Sequence, residues 1–237
     1  MGLWKQRALL ILIFALLGSQ AVAHDFWIEK TPEGFSLYRG HRSSSHPGEA
    51  TIEYDPHSIL EVLCSDEQGP LSPIEPEVVF PMRIGTGCRL IHVLFSSGYW
   101  TKTPYGTKNI PKTQVEHPLE SWLSYESVKY IDSWNEDFIR PLTGHLELAP
   151  LSNPLLLGVG DKLRLLVTKN KVPVNGAVVT YDGKPRGLTG ADGQINIRLR
   201  HPDLQLIQTT ISWPLDSIEA DTEIHTAALC FRMGEKP

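Results

Sequence analysis

Nine histidines occur in the 237-residue chain, and one of them has a chemistry the others lack. Residues 1–23 read as a cleavable signal peptide: Lys5 and Arg7 precede the apolar run 8–18, and Ala21-Val22-Ala23 supplies small residues at −3 and −1. Cleavage after Ala23 leaves His24 with a free α-amine beside its own imidazole, and the two nitrogens can chelate one metal ion. An internal histidine has no such pair. Unperturbed, the amine titrates at about 7.7 to 8.0 and the imidazole at about 6.5, so protons compete only weakly with a metal near neutral pH.

A third donor follows from strand pairing. Asp25-Phe26-Trp27-Ile28-Glu29-Lys30 and Phe35-Ser36-Leu37-Tyr38-Arg39-Gly40 flank the turn sequence Thr31-Pro32-Glu33-Gly34, which predicts an antiparallel hairpin with Lys30 opposite Phe35 and Phe26 opposite Arg39. Continued outward, this register sets His24 opposite His41. Directly opposed residues share a face with Cβ atoms about 4.5 to 5.5 Å apart, here the face of Phe26, Ile28, Phe35 and Leu37. A three-residue loop instead would shift the register by one and turn His41 to the other face. Three nitrogens suit Ni, Cu or Zn rather than Ca or Mg.

The remaining histidines divide by context. His225 opens a strand expected over 224–232 whose odd positions Ala227, Leu229 and Phe231 form an apolar stripe; it is a third candidate metal residue if two domains pack end to end, and otherwise a hydrogen-bonded structural histidine. His46 and His57 lie in polar, Pro-containing stretches and read as exposed loop residues. His92 alternates with Ile91 and Val93 and reads as a satisfied strand residue. His117, His145 and His201 neighbour Pro or Gly and read as loop residues. The segment 96–109 mixes Tyr99, Trp100 and Tyr105 with Lys102 and Lys108 without strand periodicity, as a loop that covers a site, meets a partner or packs on itself. No nucleophile elbow, Walker loop, H-E-x-x-H pair, C-x-x-C pair or dinucleotide fingerprint occurs, which removes support for the common soluble-enzyme chemistries.

The elements that must position these residues are strands. With 18 Pro and 19 Gly, uninterrupted stretches are short, and most alternate apolar with polar. Strands are expected over 35–39, 51–54, 59–64, 90–96, 162–168, 177–182, 194–200, 204–211 and 224–232; 120–133 fits a short helix or another strand. Linker composition over 148–161 places a boundary there. The expected fold is all-β, with two β-sandwich domains at 24–150 and 151–237. In the second, Lys171-Val172-Pro173-Val174-Asn175-Gly176-Ala177 and Thr189-Gly190-Ala191-Asp192-Gly193 resemble the repeat of transthyretin-like and carboxypeptidase-regulatory Ig-type modules, which are usually structural supports.

Charge and cysteines bound the partners. The formal net charge is −5; without Lys5 and Arg7 the 22 Lys+Arg fall to 20 against 27 Asp+Glu, or −7 for the mature chain. Nucleic acid is a poor partner for such a surface. The apolar run 8–18 is too short to span a bilayer and no second run follows, so no membrane anchor is expected and the product is periplasmic. Export permits a disulfide, and the placement of Cys64 and Cys88 around one loop-rich stretch pairs them, with Cys230 as a small buried hydrophobe; three free thiols are the alternative.

Taken together, His24-Asp25-Phe26-Trp27-Ile28-Glu29, Gly40-His41-Arg42, Gly98-Tyr99-Trp100-Thr101-Lys102-Thr103, Gly160-Asp161-Lys162-Leu163-Arg164, Tyr181-Asp182-Gly183-Lys184-Pro185-Arg186-Gly187 and His225-Thr226-Ala227-Ala228-Leu229 resemble the periplasmic nickel/cobalt-uptake component family (NikK-like). The resemblance covers nearly the whole mature chain. It implies a non-enzymatic protein that binds Ni2+ or Co2+, with Cu2+ also possible, at His24 and His41 and supplies a membrane metal-uptake transporter. Two rivals come from other classes. His24 with a second imidazole also resembles the histidine brace of copper oxygenases, and Tyr99, Trp100 and Tyr105 could serve a carbohydrate-binding or adhesion module.

Overall fold

The computed structural model describes residues 25–42, 51–67 and 69–234. His24, His46 and the segment read as a signal peptide lie outside the described residues. Among those described the chain is all-β, as its alternation requires, with helical geometry confined to short 3-10 turns. The strands are β1 (Asp25–Thr31), β2 (Gly34–Gly40), β3 (Ile59–Ser65), β4 (Ser72–Pro73), β5 (Met82–Ile84), β6 (Leu90–Thr103), β7 (Gly106–Lys108) and β8 (Glu120–Ile131). They continue as β9 (Glu147–Pro150), β10 (Lys162–Lys169), β11 (Val172–Pro173), β12 (Val178–Tyr181), β13 (Lys184–Leu188), β14 (Gln194–Arg198), β15 (Gln205–Pro214) and β16 (Thr222–Phe231). No helix among the described residues is long and apolar enough to cross a membrane.

These strands make three layers. A nine-stranded sheet in the order β13-β12-β15-β16-β8-β6-β3-β4, with β7 beside β6, lies between a three-stranded sheet β1-β2-β5 and a four-stranded sheet β11-β10-β14 with β9 beside β10. Two apolar cores form between the layers, and the large sheet is the wall they share. Even positions of β16, Ala228 and Cys230, belong to the core with Phe26, Ile28 and Leu37. Its odd positions Ala227, Leu229 and Phe231 belong to the core with Leu163, Leu165 and Val167 of β10.

The boundary expected at 150/151 therefore joins paired elements. Pro150 of β9 lies opposite Leu165 of β10, and β8 runs parallel to β16 over its full length, from Trp122–Thr222 to Ile131–Phe231. The halves 24–150 and 151–237 share one sheet through that pairing. β5 makes a similar crossing: the chain leaves the large sheet at β4, adds a strand to the small one, and returns at β6. The Cys64–Cys88 disulfide, with Cα atoms 5.5 Å apart, closes this excursion at its base. Cys230 is a buried free thiol, and burial pushes its pKa up to about 12.

Two local expectations are corrected and one alternative is decided. Of the two readings of 120–133, the strand forms, as β8 (Glu120–Ile131). The 96–109 segment is not a loop: β6 runs on to Thr103 and turns back into β7. A bulge between Phe95 and Gly98 sets Ser96 and Ser97 against one residue of β8, and this breaks the alternation that sequence reading relies on. Over 51–54 only Thr51 pairs, opposite Gly40, while Tyr54 drops into the core, where its hydroxyl donates to the Leu37 carbonyl (2.9 Å) and accepts from the Met82 amide (3.0 Å).

Candidate functional site

The β1–β2 hairpin has the expected register, from Thr31–Gly34 at the turn to Asp25–Gly40 at the rim, with Pro32 and Glu33 as its two-residue loop. Gly34 is required there. At φ +140° a Cβ would stand 2.3 Å from the Ile84 carbonyl oxygen, so a larger residue would push β5 off β2. The alternation then turns Phe26, Ile28, Phe35 and Leu37 inward, and all four are buried.

His41 is the first residue past β2 and is half-buried. Its backbone is held on both sides. Gly40 pairs with Asp25 and with Thr51, while Arg42 donates from Nη1 to Glu29 Oε1 (2.7 Å) and lies 5.9 Å from the Trp27 ring centroid. Trp27 completes this outward clamp, its indole Nε1 donating to the same Glu29 oxygen (3.0 Å) and its ring stacking on Tyr38.

Beneath the rim lies a charged pair that the sequence does not announce. The Arg39 guanidinium sits 5.6 Å from the Phe26 ring centroid, and its buried Nε has no hydrogen-bond partner among the described residues. Phe26 packs 4.7 Å from Phe95, whose cross-strand neighbour on β8 is Glu126. Loss of hydration drives the Glu126 carboxyl up to about 7; the Arg39 charge opposes the shift and the Asp25 charge adds to it. Asp25, Arg39 and Glu126 thus form one electrostatic group at the rim, negative by one charge when all three are ionised.

His225 is elsewhere. It shares the odd face of β16 with Ala227 and Leu229, away from β1 and β2, and the structure does not bring it to His41. Its ring stacks on Tyr125 (4.8 Å between centroids) and meets Trp213 edge to face (5.4 Å). Nε2 is 3.3 Å from Glu223 Oε2, and the Lys169 ammonium is 3.4 Å from both ring nitrogens. Burial, then the Lys169 charge, lowers its pKa, partly offset by Glu223.

His92 is a strand residue as expected, but not a satisfied one. Both its ring nitrogens lack a hydrogen-bond partner among the described residues, and burial with the nearby Lys129 charge lowers its pKa to about 3. Its ring stacks on His145, which faces Glu61 at 3.6 Å. Beside it, Lys129 and Glu147 form a buried ion pair; Glu147 also accepts from the Leu142 and Thr143 amides and the Thr143 hydroxyl. His201 is held by Asp182 (2.8 Å) and stacked on Tyr181, while His57 and His117 are exposed.

No three His, Cys, Asp or Glu side chains converge on a metal-sized point among the described residues. Sequence reasoning missed Arg39, Glu126, Lys169 and Glu223. For Glu126 a signal existed, since it falls in phase with the inward residues Val128 and Tyr130. Comparison with family models, with curated proteins and with solved structures finds no match.

Proposed function

We propose that the protein is an exported, non-enzymatic binder of a transition-metal ion, Ni(II) or Co(II) with Cu(II) as the tightest competitor, and that it passes the ion to a membrane uptake system. One observation carries this reading: the β1–β2 register, which holds to its last described pair, Asp25–Gly40. Continued by one step, that register would set position 24 opposite position 41 on the inward face. His24 lies outside the described residues; its α-amine and imidazole, with the imidazole of His41, would supply three nitrogens for an ion of the middle or late first row. The clamp of Arg42 on Glu29 and Trp27 supports a fixed His41, and the Asp25 and Glu126 carboxylates offset the Arg39 charge that would repel a cation. A Cys64–Cys88 disulfide suits an oxidising compartment and thus export.

The test is calorimetric titration of mature protein beginning at His24 against the same protein with one additional N-terminal residue. The reading expects one Ni(II) or Cu(II) per chain in the first and at least about tenfold weaker binding in the second, where the amine is displaced. Equal affinity in both overturns it. Reductant-dependent oxygen consumption by the copper-loaded protein would instead move the reading to a copper oxidase.

A further inference from the structure

The outward face of the four-stranded sheet concentrates charge of the sign opposite to that of the chain as a whole. Residues 24–150 hold 18 Asp+Glu against 10 Lys+Arg, whereas residues 151–200 hold 3 against 8. Alternation sets four of those eight cations on one face. Leu163, Leu165, Ile197 and Leu199 are buried in the second core, so Lys162 and Arg164 of β10 and Arg198 and Arg200 at the end of β14 turn outward, and all four are exposed. Lys162 stands directly opposite Arg198, and the Leu199 carbonyl, accepting from the Gly160 amide (2.9 Å), carries the pairing on to Arg200.

Like charges directly opposed across two strands cost stability. Among the described residues no ion pair involves any of the four cations. The three carboxylates of residues 151–200 are engaged elsewhere: Asp161 Oδ2 accepts from the Gly158 amide (2.8 Å), Asp182 Oδ2 meets His201 Nε2 (2.8 Å), and Asp192 Oδ1 accepts from the Gln194 amide (3.1 Å). Asn196 and Gln194, which face Arg164 and Leu166 from β14, are uncharged. An arrangement that costs the fold something fits a role outside the fold, and its sign selects an anion.

The loop that leads into β10 says which anion. Leu156 is 75% exposed and Val159 56%, and the backbone around them is pinned. Asn153 Oδ1 accepts from the Leu155 amide (3.0 Å), the Leu157 amide donates to the Pro154 carbonyl (3.3 Å), and the Gly234 amide beyond β16 donates to the Leu155 carbonyl (2.8 Å). Arg198 ties this loop to the cations, its Nη1 donating to the Gly160 carbonyl (2.6 Å). Two fixed apolar side chains beside four cations suit a lipid surface, where the apolar atoms leave water at the headgroup boundary and the cations meet phosphates. A soluble polyanion would answer the charge and leave Leu156 and Val159 in water.

We propose that the outward face of β10 and β14, with the 154–160 loop, docks peripherally on a bilayer that contains anionic phospholipid. Leu156 and Val159 enter the interface, and Lys162, Arg164, Arg198 and Arg200 bind lipid phosphates. The negative net charge of the chain does not prevent this. Carboxylates of the small sheet such as Glu33 and Glu77 stand two sheet spacings away, about 20 Å, which exceeds the screening length of about 10 Å at 0.1 M salt. The inference is independent of the metal reading, whose residues lie on the other side of the shared sheet.

The test is co-sedimentation of the metal-free mature chain with vesicles of phosphatidylglycerol and phosphatidylcholine in equal parts, and with vesicles of phosphatidylcholine alone. Binding should require the phosphatidylglycerol and weaken as NaCl is raised. Lys162→Ala and Arg164→Ala should each weaken it about fivefold. Leu156→Ser with Val159→Ser should weaken it at least about tenfold at unchanged charge, and Lys102→Ala, at an exposed cation of β6, should leave it unchanged. Each variant is compared at a thermal midpoint equal to the parent's. Equal sedimentation of the unmodified chain with and without phosphatidylglycerol overturns the proposal without any variant. Undiminished binding by the Leu156→Ser, Val159→Ser protein overturns it too, because the face would then answer charge alone, as for a soluble acidic partner.

Discussion

Ala228 and Leu229 are neighbours on β16 and belong to different cores, Ala228 to the one under β1 and β2 and Leu229 to the one under β10. A single strand is thus buried on both faces, and loosening one core removes a wall from the other. The protein is expected to unfold in one cooperative transition. Leu229→Ala, fully buried in the second core, should cost about 2 to 5 kcal/mol. It should speed amide exchange at Ile28 in the first core as much as at Leu165 in the second. Exchange that accelerates at Leu165 alone would show that the two cores open independently.

Acid stability should report two groups of opposite sign, the buried His92 and the half-buried Glu126. His92 falls from its ordinary value of 6.5 to about 3, so its contribution is complete above 6.5 and is lost as pH drops toward 3. Glu126 rises from 4.5 to about 7, so its contribution is complete below 4.5 and is lost as pH climbs through 7. Each gives a slope of at most about 1.4 kcal/mol per pH unit, and between pH 4.5 and 6.5 the two oppose. Measured against the parent protein, His92→Leu should gain urea midpoint as pH falls from 6.5 to 5 and Glu126→Gln should lose it; His225, also held below its ordinary value, is common to all three and cancels in the comparison. Identical profiles for parent and both variants would remove the assignment.

How far the sequence discloses this fold depends on how local the signal is. The β1–β2 register is legible because Pro32-Glu33 is a two-residue turn between alternating strands, and turn length fixes pairing. β8 is not legible, because residues 127–131 are buried on both faces, and two-sided burial erases the alternation that marks a strand. The bulge at Ser96-Ser97 hides the far half of β6 in the same way. The shared sheet rests on the parallel pairing of Trp122–Ile131 with Thr222–Phe231, a contact between distant segments that no short pattern encodes. The site divides along the same line. His41 follows from its hairpin, whereas Arg39, Glu126, Lys169 and Glu223 are single charged residues on strands, given meaning only by partners from other sheets.

The Cys64–Cys88 disulfide should matter chiefly to the β4–β5 excursion it closes. Cys64→Ser with Cys88→Ser is expected to cost about 3 kcal/mol in the chain-entropy picture and to loosen β5 from β2 before the rest of the sheet. Hydrogen exchange at Met82 and Ile84 reads this directly. Cys230, fully buried and with its thiol pushed up to about 12, should resist thiol reagents until the chain unfolds. Rapid alkylation of Cys230 in the native protein contradicts its placement in the first core.

The histidines separate into ligand and neighbour by substitution. His41→Ala removes one of three proposed nitrogens and is expected to weaken Ni(II) binding by at least about tenfold to a hundredfold. His225→Ala should leave binding unchanged, since its ring faces Lys169 across the second core. His117→Ala, at an exposed turn residue with φ 55°, should likewise do nothing. Arg39→Gln tests the electrostatics independently: removing the cation beneath the rim should tighten binding several-fold at low salt, and 0.5 M NaCl should shrink the gain, since screening shortens the reach of such charges. Each variant must first match the parent in metal-free thermal unfolding, so that lost binding is not lost folding. Full Ni(II) affinity in a folded His41→Ala protein would falsify the pairing of positions 24 and 41 as a metal site, because the register supplies no other imidazole at that rim among the described residues.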